Sequence, residues 1–192
     1  NLKNSPITPS SGGIVQENGI KVDFPKNALG TDSSAGTVEV KNTTNIPTVA
    51  STKVIGNARD ITAKNSSNQN ITKLSGNITI ELTVTKAEIQ AQGLSFAQVQ
   101  KMKISYWDST ASNWVEISTS VKLHPATATS IAGLDSSPAV THSGTVAHLS
   151  SFAPTVPADN APAQPTGFTA TRSSSRPTQI IDLSWNAVSG AT

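Results

Sequence analysis

The 192-residue sequence contains no cysteine, and only 4% of its residues are aromatic. The absence of cysteine excludes disulfide bonds, thiolate metal sites and cysteine catalysis within this sequence. It does not exclude secretion, because many bacterial surface β-domains also lack cysteine. Charged residues make up only 14% of the chain, so its polar surface must consist largely of serine, threonine, asparagine and glutamine. This composition favours an extracellular β-protein over a cytosolic enzyme.

The sequence also lacks long apolar runs and clusters of basic residues. No run of about 18 apolar residues occurs, so we expect no membrane span. The formal net charge is only +2, and the lysines are scattered rather than gathered in a stripe, so we expect no nucleic-acid partner. The chain has neither a basic and apolar leader nor an initiator methionine, and we therefore expect a mature or excised fragment.

Short stretches of alternating apolar and polar residues, separated by turn residues, predict a mainly β fold. The pair Asn18-Gly19 tolerates positive φ, as a tight turn requires, so residues 13–24 are predicted to form a hairpin. Residues 77–85 show the most regular alternation in the chain, with an apolar residue at every second position. Such a period of two is typical of a strand with one buried face.

A second hairpin is predicted around two tryptophans. Residues 104–107 and 114–118 are expected to pair across a turn at residues 108–113, which brings Trp107 and Trp114 together. Aromatic residues that face each other across a hairpin usually belong to the core.

Other stretches are less regular. Residues 71–74 and 126–132 are predicted as short strands, and residues 135–144 as a loop. Residues 1–11 are polar and contain two prolines, so they are predicted to be a linker or an added edge strand.

Two capping boxes predict short helices between strands. Thr85 and Glu88 have the spacing of a capping box, and Gly93 is available to end the helix. Ser95 and Gln98 repeat the arrangement. The sequence therefore predicts one or two short helices within a β-domain.

The most specific pattern lies in residues 144–154, which read Gly-Thr-Val-Ala-His-Leu-Ser-Ser-Phe-Ala-Pro. The alternation predicts a half-buried strand over residues 145–153, with His148 and Ser150 on the same face. Pro154 is expected to end this strand, because proline has no N–H for a ladder.

A stretch rich in proline and alanine, residues 155–165, is predicted to be a semi-rigid extended linker. Beyond it, residues 167–171 and 180–185 are predicted as two strands, too few to enclose a core. The predicted domains are a linker or edge segment at residues 1–11, a β-sandwich at residues 12–154, the linker at residues 155–165 and an incomplete second β-domain at residues 166–192.

Three stretches resemble one family. Residues 12–29, Gly-Gly-Ile-Val-Gln-Glu-Asn-Gly-Ile-Lys-Val-Asp-Phe-Pro-Lys-Asn-Ala-Leu, resemble the start of the ZU-type (ZU-five) β-sandwich of netrin receptors, ankyrins and a death-domain scaffold. Residues 104–108, Ile-Ser-Tyr-Trp-Asp, followed by residues 113–116, Asn-Trp-Val-Glu, resemble a hairpin of its bacterial members. Residues 148–153, His-Leu-Ser-Ser-Phe-Ala, resemble their terminal strand. The resemblance covers about residues 12–154 and implies an antiparallel β-sandwich.

The end of the sequence resembles a different family. Residues 165–171, Pro-Thr-Gly-Phe-Thr-Ala-Thr, followed by residues 181–186, Ile-Asp-Leu-Ser-Trp-Asn, resemble the first two strands of a fibronectin type III domain. The second of these strands carries a core tryptophan in that family, here Trp185. This resemblance implies a longer, modular parent protein.

The resemblance to the ZU-type group also implies a chemistry. In some members a His-aliphatic-Ser triplet cuts its own backbone, and the matching residues here are His148, Leu149 and Ser150. Ser150 Oγ would attack the Leu149 carbonyl carbon, and His148 would take the hydroxyl proton and return it to the departing nitrogen. The fold would have to hold this planar peptide distorted. Such self-cleavage is a single turnover and implies no external substrate and no cofactor.

Less specific interpretations compete with self-cleavage. A histidine on a strand face is more often packed or hydrogen-bonded than a catalytic base. His124, His142 and His148 would form a metal site only if they converged, and we predict no metal. Trp107 and Trp114 could stack on a sugar, which would make the domain a carbohydrate-binding module.

The sequence thus predicts a structural or adhesive module of a secreted or cell-surface protein, most naturally bacterial, with a fibre component as one form of this role. Its partner would be another protein or surface, and its terminal strands could mediate self-association. The alternatives are a module that cuts its own Leu149–Ser150 bond and a carbohydrate-binding module. Enzymatic action on an external substrate is not expected.

Overall fold

A computed structural model describes residues 4–17, 19–43, 45–117, 119–158, 169–172 and 181–184. The chain divides into two compact units, Asn1–Ala158 and Asp159–Thr192. The strands described in the first unit are β1 (Asn4–Ile7), β2 (Gly13–Glu17), β3 (Ile20–Phe24), β4 (Gly36–Thr43), β5 (Thr52–Val54), β6 (Ala58–Lys64), β7 (Ile78–Val84), β8 (Lys103–Asp108), β9 (Asn113–Glu116), β10 (Thr119–Leu123), β11 (Val140–Val146) and β12 (Ser151–Pro157).

These strands form two antiparallel sheets. The seven-stranded sheet has the order β1-β4-β6-β12-β8-β9, with β5 also paired to β12. The five-stranded sheet has the order β10-β11-β7-β3-β2. The fold is therefore mainly β, and the predicted antiparallel β-sandwich is confirmed.

Alternating burial along the strands builds the core between the sheets. Strand β7 buries every second residue, as its period of two predicts, and β3 does the same. Val38 and Val40 of β4 and Phe152 of β12 meet this apolar layer from the seven-stranded sheet. Burial of these side chains is the main favourable term that holds the two sheets together.

Both predicted capping boxes are present. Helix α1 (Lys86–Ala91) begins after Thr85, whose side chain accepts from the Glu88 N–H while the Glu88 carboxylate accepts from the Thr85 N–H. Helix α2 (Phe96–Gln100) begins in the same way after Ser95. Each helix buries a single residue against the end of the core. In the part of the chain that is described, no helix has the length and apolar character needed to cross a bilayer.

The first unit begins and ends in the same sheet. β1 runs antiparallel to β4, β4 to β6, and β6 to β12, so β1 and β12 are antiparallel with two strands between them. The register places Asn4 opposite Glu39 and Phe152 opposite Arg59. Because Glu39 in turn lies opposite Thr62, β1 begins close to the level at which β12 begins, and from there the two strands extend in opposite directions. The segment of residues 1–11 thus contributes an edge strand, one of its two predicted forms.

Three predictions on the less regular stretches are wrong. Residues 71–74 and 126–132 are not strands, and β11 begins at Val140, inside the predicted loop of residues 135–144. Two of the inward positions of β11 are His142 and Gly144, which are not typical of a buried strand face, so its sequence does not indicate a strand. Residues 126–132 contain a turn instead, with the Ala128 N–H donating to the Pro125 carbonyl at 3.0 Å.

Pro154 does not end the last strand, contrary to the prediction. Strand β12 continues to Pro157 because Pro154 stands where β6 has ended and β5 has not yet begun to pair: Phe152 lies opposite Arg59, and Thr155 lies opposite Val54. A missing N–H costs little at such a gap. The Pro154 carbonyl still accepts from the Ile55 N–H at 2.9 Å.

In the second unit the structure describes two strands, β13 (Thr169–Arg172) and β14 (Ile181–Ser184), which pair antiparallel. Thr169 lies opposite Ser184, and Arg172 lies opposite Ile181. Trp185, the predicted core tryptophan, and most of the predicted linker lie outside the described residues.

Candidate functional site

The predicted site lies where the chain crosses between the sheets, not within one strand. β11 ends at Val146 in the five-stranded sheet, and β12 begins at Ser151 in the seven-stranded sheet. The prediction of one continuous strand over residues 145–153 is therefore wrong. Val146 and Phe152 are both buried because both sheets face the same core, so the alternation continues across the break. The Leu149–Ser150 peptide bond lies in the crossing segment, residues 147–150.

His148 is held by two aromatic rings at the rim of the core. Its ring centroid lies 4.4 Å from that of Tyr106, with the planes at 68°, and 6.1 Å from that of Phe152, with the planes at 15°. Phe152 is fully buried, whereas His148 is half-buried. The two rings restrict the imidazole from two sides, so its position is determined by packing.

Leu149 faces a small cleft beside the site. Its side chain packs at the edge of the core and lines a cleft of about 270 Å³, together with residues 61–63 of β6 and residues 70–72. Strand β12 borders β6 only as far as Ser151, and the Ile71 N–H donates to the Ala63 carbonyl at 2.8 Å farther along β6. The cleft therefore opens where one neighbour of β6 gives way to another.

Ser150 is fixed through both its side chain and its backbone. Its hydroxyl donates to the carbonyl oxygen of Trp107 at 2.9 Å, and its carbonyl accepts from the Ile61 N–H at 3.1 Å. Among the described residues, no hydrogen bond joins His148 to Ser150. The structure thus brings the three predicted residues together at the crossing, with the serine hydroxyl directed at Trp107 instead of the imidazole.

Asp60 is a neighbour of the site that sequence reasoning missed. It lies opposite Ser151 in the register of β6 and β12, and its Oδ1 accepts from the Ser151 hydroxyl at 3.2 Å. The two residues are 91 positions apart, and nothing in either local sequence indicates the pairing. The Asp60 carboxylate thus supplies a fixed negative charge next to the residue that follows Ser150.

The other two histidines lie elsewhere. His124 Nε2 is 2.9 Å from Thr141 Oγ1. His142 is completely buried on the inward face of β11, and neither of its ring nitrogens has a hydrogen-bond partner. Burial lowers the pKa of His142 to about 4. The residues described contain no group of three metal-ligating side chains that could hold an ion.

The two hairpin tryptophans form a packed pair. Trp107 and Trp114 lie opposite each other in β8 and β9, with ring centroids 5.6 Å apart and planes at 62°. Trp114 is only 4% exposed, and its indole N–H donates to the Pro47 carbonyl at 3.0 Å. The segment around Pro47 thus covers this side of the seven-stranded sheet. The ring of Trp114 has no free face on which a sugar could stack.

No protein-family model and no curated protein sequence matches the chain.

Proposed function

We propose that the sandwich is a structural or adhesive module of a modular secreted or cell-surface protein, of the ZU-type class, followed by a fibronectin type III-like unit. The observation that carries the proposal is the position of β12, the strand that leads out of the first compact unit. It lies inside the seven-stranded sheet and pairs with β6 and β5 on one side and β8 on the other. A tether attached to this strand is anchored in the middle of the sheet.

The outer face of the five-stranded sheet supports an extracellular role. Its central strands present hydroxyl side chains in register, with Thr83 opposite Thr141 and Thr79 opposite Thr145. These side chains are at least partly exposed, and the charged residues on the same face, Lys21, Asp23, Glu81 and Lys122, carry two positive and two negative charges. A surface of hydroxyl groups and balanced charges suits contact with other surfaces at low net charge.

Labelling of intact cells tests this proposal. A membrane-impermeant amine reagent applied to the cells that make the protein is expected to modify its lysines as extensively before lysis as after lysis. A cytosolic protein of the same cells serves as the control and should be labelled only after lysis. If the lysines of this chain are likewise protected until lysis, the proposed location and role are refuted.

Self-cleavage at Leu149–Ser150 is the second candidate function, and the position of this bond in the crossing segment favours it. Ser150 Oγ would attack the Leu149 carbonyl carbon while His148 takes the hydroxyl proton. The C–N bond would then break as His148 returns the proton to the Ser150 nitrogen, which leaves an ester between Leu149 and the Ser150 oxygen. Water would hydrolyse this ester to a Leu149 carboxylate and restore the Ser150 hydroxyl.

Three contacts bear on this reaction. The Ile61 N–H holds the carbonyl of Ser150, and β12 keeps the C-terminal piece paired on both sides after cleavage. The cleft lined by Leu149 would give water a route to the ester. Against these, the hydroxyl must turn away from the Trp107 carbonyl before it can reach the Leu149 carbon. Catalytic hydrogen bonds are often poorly aligned before reaction, so this rotation is a required step and not an obstacle in principle.

A denaturing gel tests the chemistry. If the bond is cut, the chain is expected to separate into two fragments, the smaller of which begins at Ser150, and hydroxylamine should speed the cleavage because it attacks the ester. Ser150→Ala should abolish both effects. Ser151→Ala is the matched control, since it removes the neighbouring hydroxyl and its bond to Asp60 but leaves the triplet intact. An intact wild-type chain after prolonged incubation at pH 7 to 9 with hydroxylamine would rule out self-cleavage.

A further inference from the structure

One edge of the five-stranded sheet is open to another strand. β2 is the last strand of this sheet, and within the part of the chain that the structure describes it pairs with β3 alone. The other neighbour of β3 is β7. The N–H of Thr83 in β7 donates to the Gly19 carbonyl at 2.8 Å, and Lys21 lies opposite Glu81. Backbone groups alternate in direction along a strand, so the odd-numbered residues of β3 bond to β7 and the even-numbered ones bond to β2.

This alternation fixes which backbone groups of β2 are free. Val15 lies opposite Val22, and Glu17 lies opposite Ile20, so these residues bond inward to β3. The N–H and C=O groups of Ile14 and Gln16 therefore point away from the sheet. They form two donors and two acceptors along an exposed edge.

The edge carries little of the usual protection against pairing. Natural sheets block their edges with charged residues, proline, bulges or a covering segment, and of these β2, with the sequence Gly-Ile-Val-Gln-Glu, has only Glu17 at its end. Ile14 is 58% exposed, and among the described residues no other large hydrophobic side chain is classed as exposed. By contrast, β1 carries Pro6. An apolar side chain beside free backbone groups is the feature that a pairing strand recognises.

The opposite edge of the five-stranded sheet is partly closed. Next to β10, the Ile117 N–H donates to the Ile104 carbonyl at 3.0 Å, and Thr119 Oγ1 accepts from the Ile104 N–H at 3.1 Å. These bonds tie the start of β10 to β8 of the other sheet. Of the two edges of this sheet, β2 is thus the one better suited to accept a further strand.

We propose that β2 pairs antiparallel with β2 of a second copy of this chain, about a two-fold axis that passes beside Val15. Ile14 then lies opposite Gln16 of the second copy, and Gln16 lies opposite its Ile14. These two pairs satisfy all the free backbone groups of Ile14 and Gln16 with four hydrogen bonds. The result is a continuous ten-stranded sheet.

The side chains favour a second copy as the occupant. In this register Glu17 faces Gly13 of the other chain, so no like charges lie opposite each other. The two Ile14 side chains meet diagonally on the outer face, where each covers exposed apolar surface of the other. Asp23 lies next to Ile14 within one copy, and Lys21 lies next to Gln16 in the other, so residues of opposite charge flank each Ile14–Gln16 pair.

The contact is small and should be weak between free molecules. One five-residue edge buries far less than the roughly 1,200 Å² typical of stable interfaces. Pairing is favoured where many copies are held together on a surface, because their high effective concentration compensates for the low affinity of a single contact.

Sedimentation equilibrium of the full chain over a wide concentration range tests the association. The wild type is expected to show a reversible monomer–dimer equilibrium, and Ile14→Lys should weaken it at least tenfold. The matched control is Ser120→Lys, which places the same charge at an exposed position on the opposite edge strand β10 and should leave the equilibrium unchanged. A wild type that stays monomeric up to millimolar concentration, or a dimer that Ser120→Lys weakens equally, overturns the proposal.

Engineered cysteines test the register, since the sequence has no cysteine of its own. Ile14→Cys and Gln16→Cys chains are prepared separately and mixed under mild oxidation. Position 14 of one copy and position 16 of the other lie opposite each other, close enough for a disulfide. The two copies of position 14 lie diagonally and too far apart, and so do the two copies of position 16. The proposal therefore expects the mixed disulfide to form faster than either homodisulfide. A predominance of either homodisulfide, or no difference from a mixture unfolded in urea, would contradict it.

Discussion

The wild-type protein is expected to lose stability between pH 6.5 and pH 4, and replacing His142 with leucine is expected to abolish most of this loss. His142 has no exposed surface, and its ring lies on the inward face of β11 between Leu82 of β7 and Val121 of β10. Burial is the main cause that lowers its pKa from 6.5 to about 4. The Leu82 backbone opposes this in part by raising the pKa, and the positive charge of Lys103, a smaller effect, lowers the pKa further.

The direction of the effect follows from proton binding. Between pH 6.5 and 4 the unfolded chain protonates His142 while the folded chain does not, so the free energy of unfolding falls as the pH falls. The neutral ring's contribution is complete above pH 6.5 and is lost progressively down to about pH 4. A difference of this size in pKa corresponds to about 3 kcal/mol at the acid end.

Urea unfolding at a series of pH values, followed by tryptophan fluorescence, measures this contribution. His142→Leu is expected to flatten the pH dependence over this window and to raise stability at pH 7 by about 1 kcal/mol, since it removes two buried nitrogens without partners. His124→Gln is the control, because His124 is only half-buried and lies beside Thr141. The interpretation fails if His142→Leu loses stability with acid as steeply as the wild type.

Replacing Gly12 with alanine is expected to destabilise the sandwich by about 3 kcal/mol. Gly12 lies in the link between β1 and β2 and has φ +74°, where a side chain alone costs roughly 1 kcal/mol. A Cβ at this position would also overlap the Phe24 carbonyl oxygen and lie 2.7 Å from the Pro25 carbonyl carbon. Both are backbone atoms, which cannot move without disturbing the first hairpin.

Gly93 provides the comparison that separates these two costs. It has a similar φ of +63°, but a Cβ there would meet nothing within 4 Å. Gly93→Ala is therefore expected to cost only the roughly 1 kcal/mol of the left-handed backbone. Denaturant unfolding of both variants at pH 7 gives the two free energies. Equal losses would show that the close approach at Gly12 carries no energetic weight.

Features whose cause lies within a few residues could be predicted from the sequence. The pair of residues at 18–19, the alternation along β7 and the capping boxes at Thr85 and Ser95 each set local backbone geometry, and the corresponding hairpin, strand and helices are present. These signals needed no knowledge of which strands are neighbours.

The crossing between β11 and β12 could not be predicted in this way. Val146 and Phe152 point into the same core from opposite sheets, so the sequence keeps its alternation although the strand is broken. The identities of the site residues were visible, but their partners were not. Ser150 reaches Trp107, 43 residues away, and His148 packs on Tyr106; both contacts depend on how distant strands pair.

The antiparallel relation of β1 and β12 has a mechanical consequence. Because Asn4 lies level with the start of β12 and Pro157 lies at its far end, tension between the first and last strands of the sandwich would run obliquely across β4 and β6. Strand β1 is bonded on one side only, whereas β12 is bonded on both sides. Under such a load β1 would detach from β4 at the edge before the interior strand β12 moved.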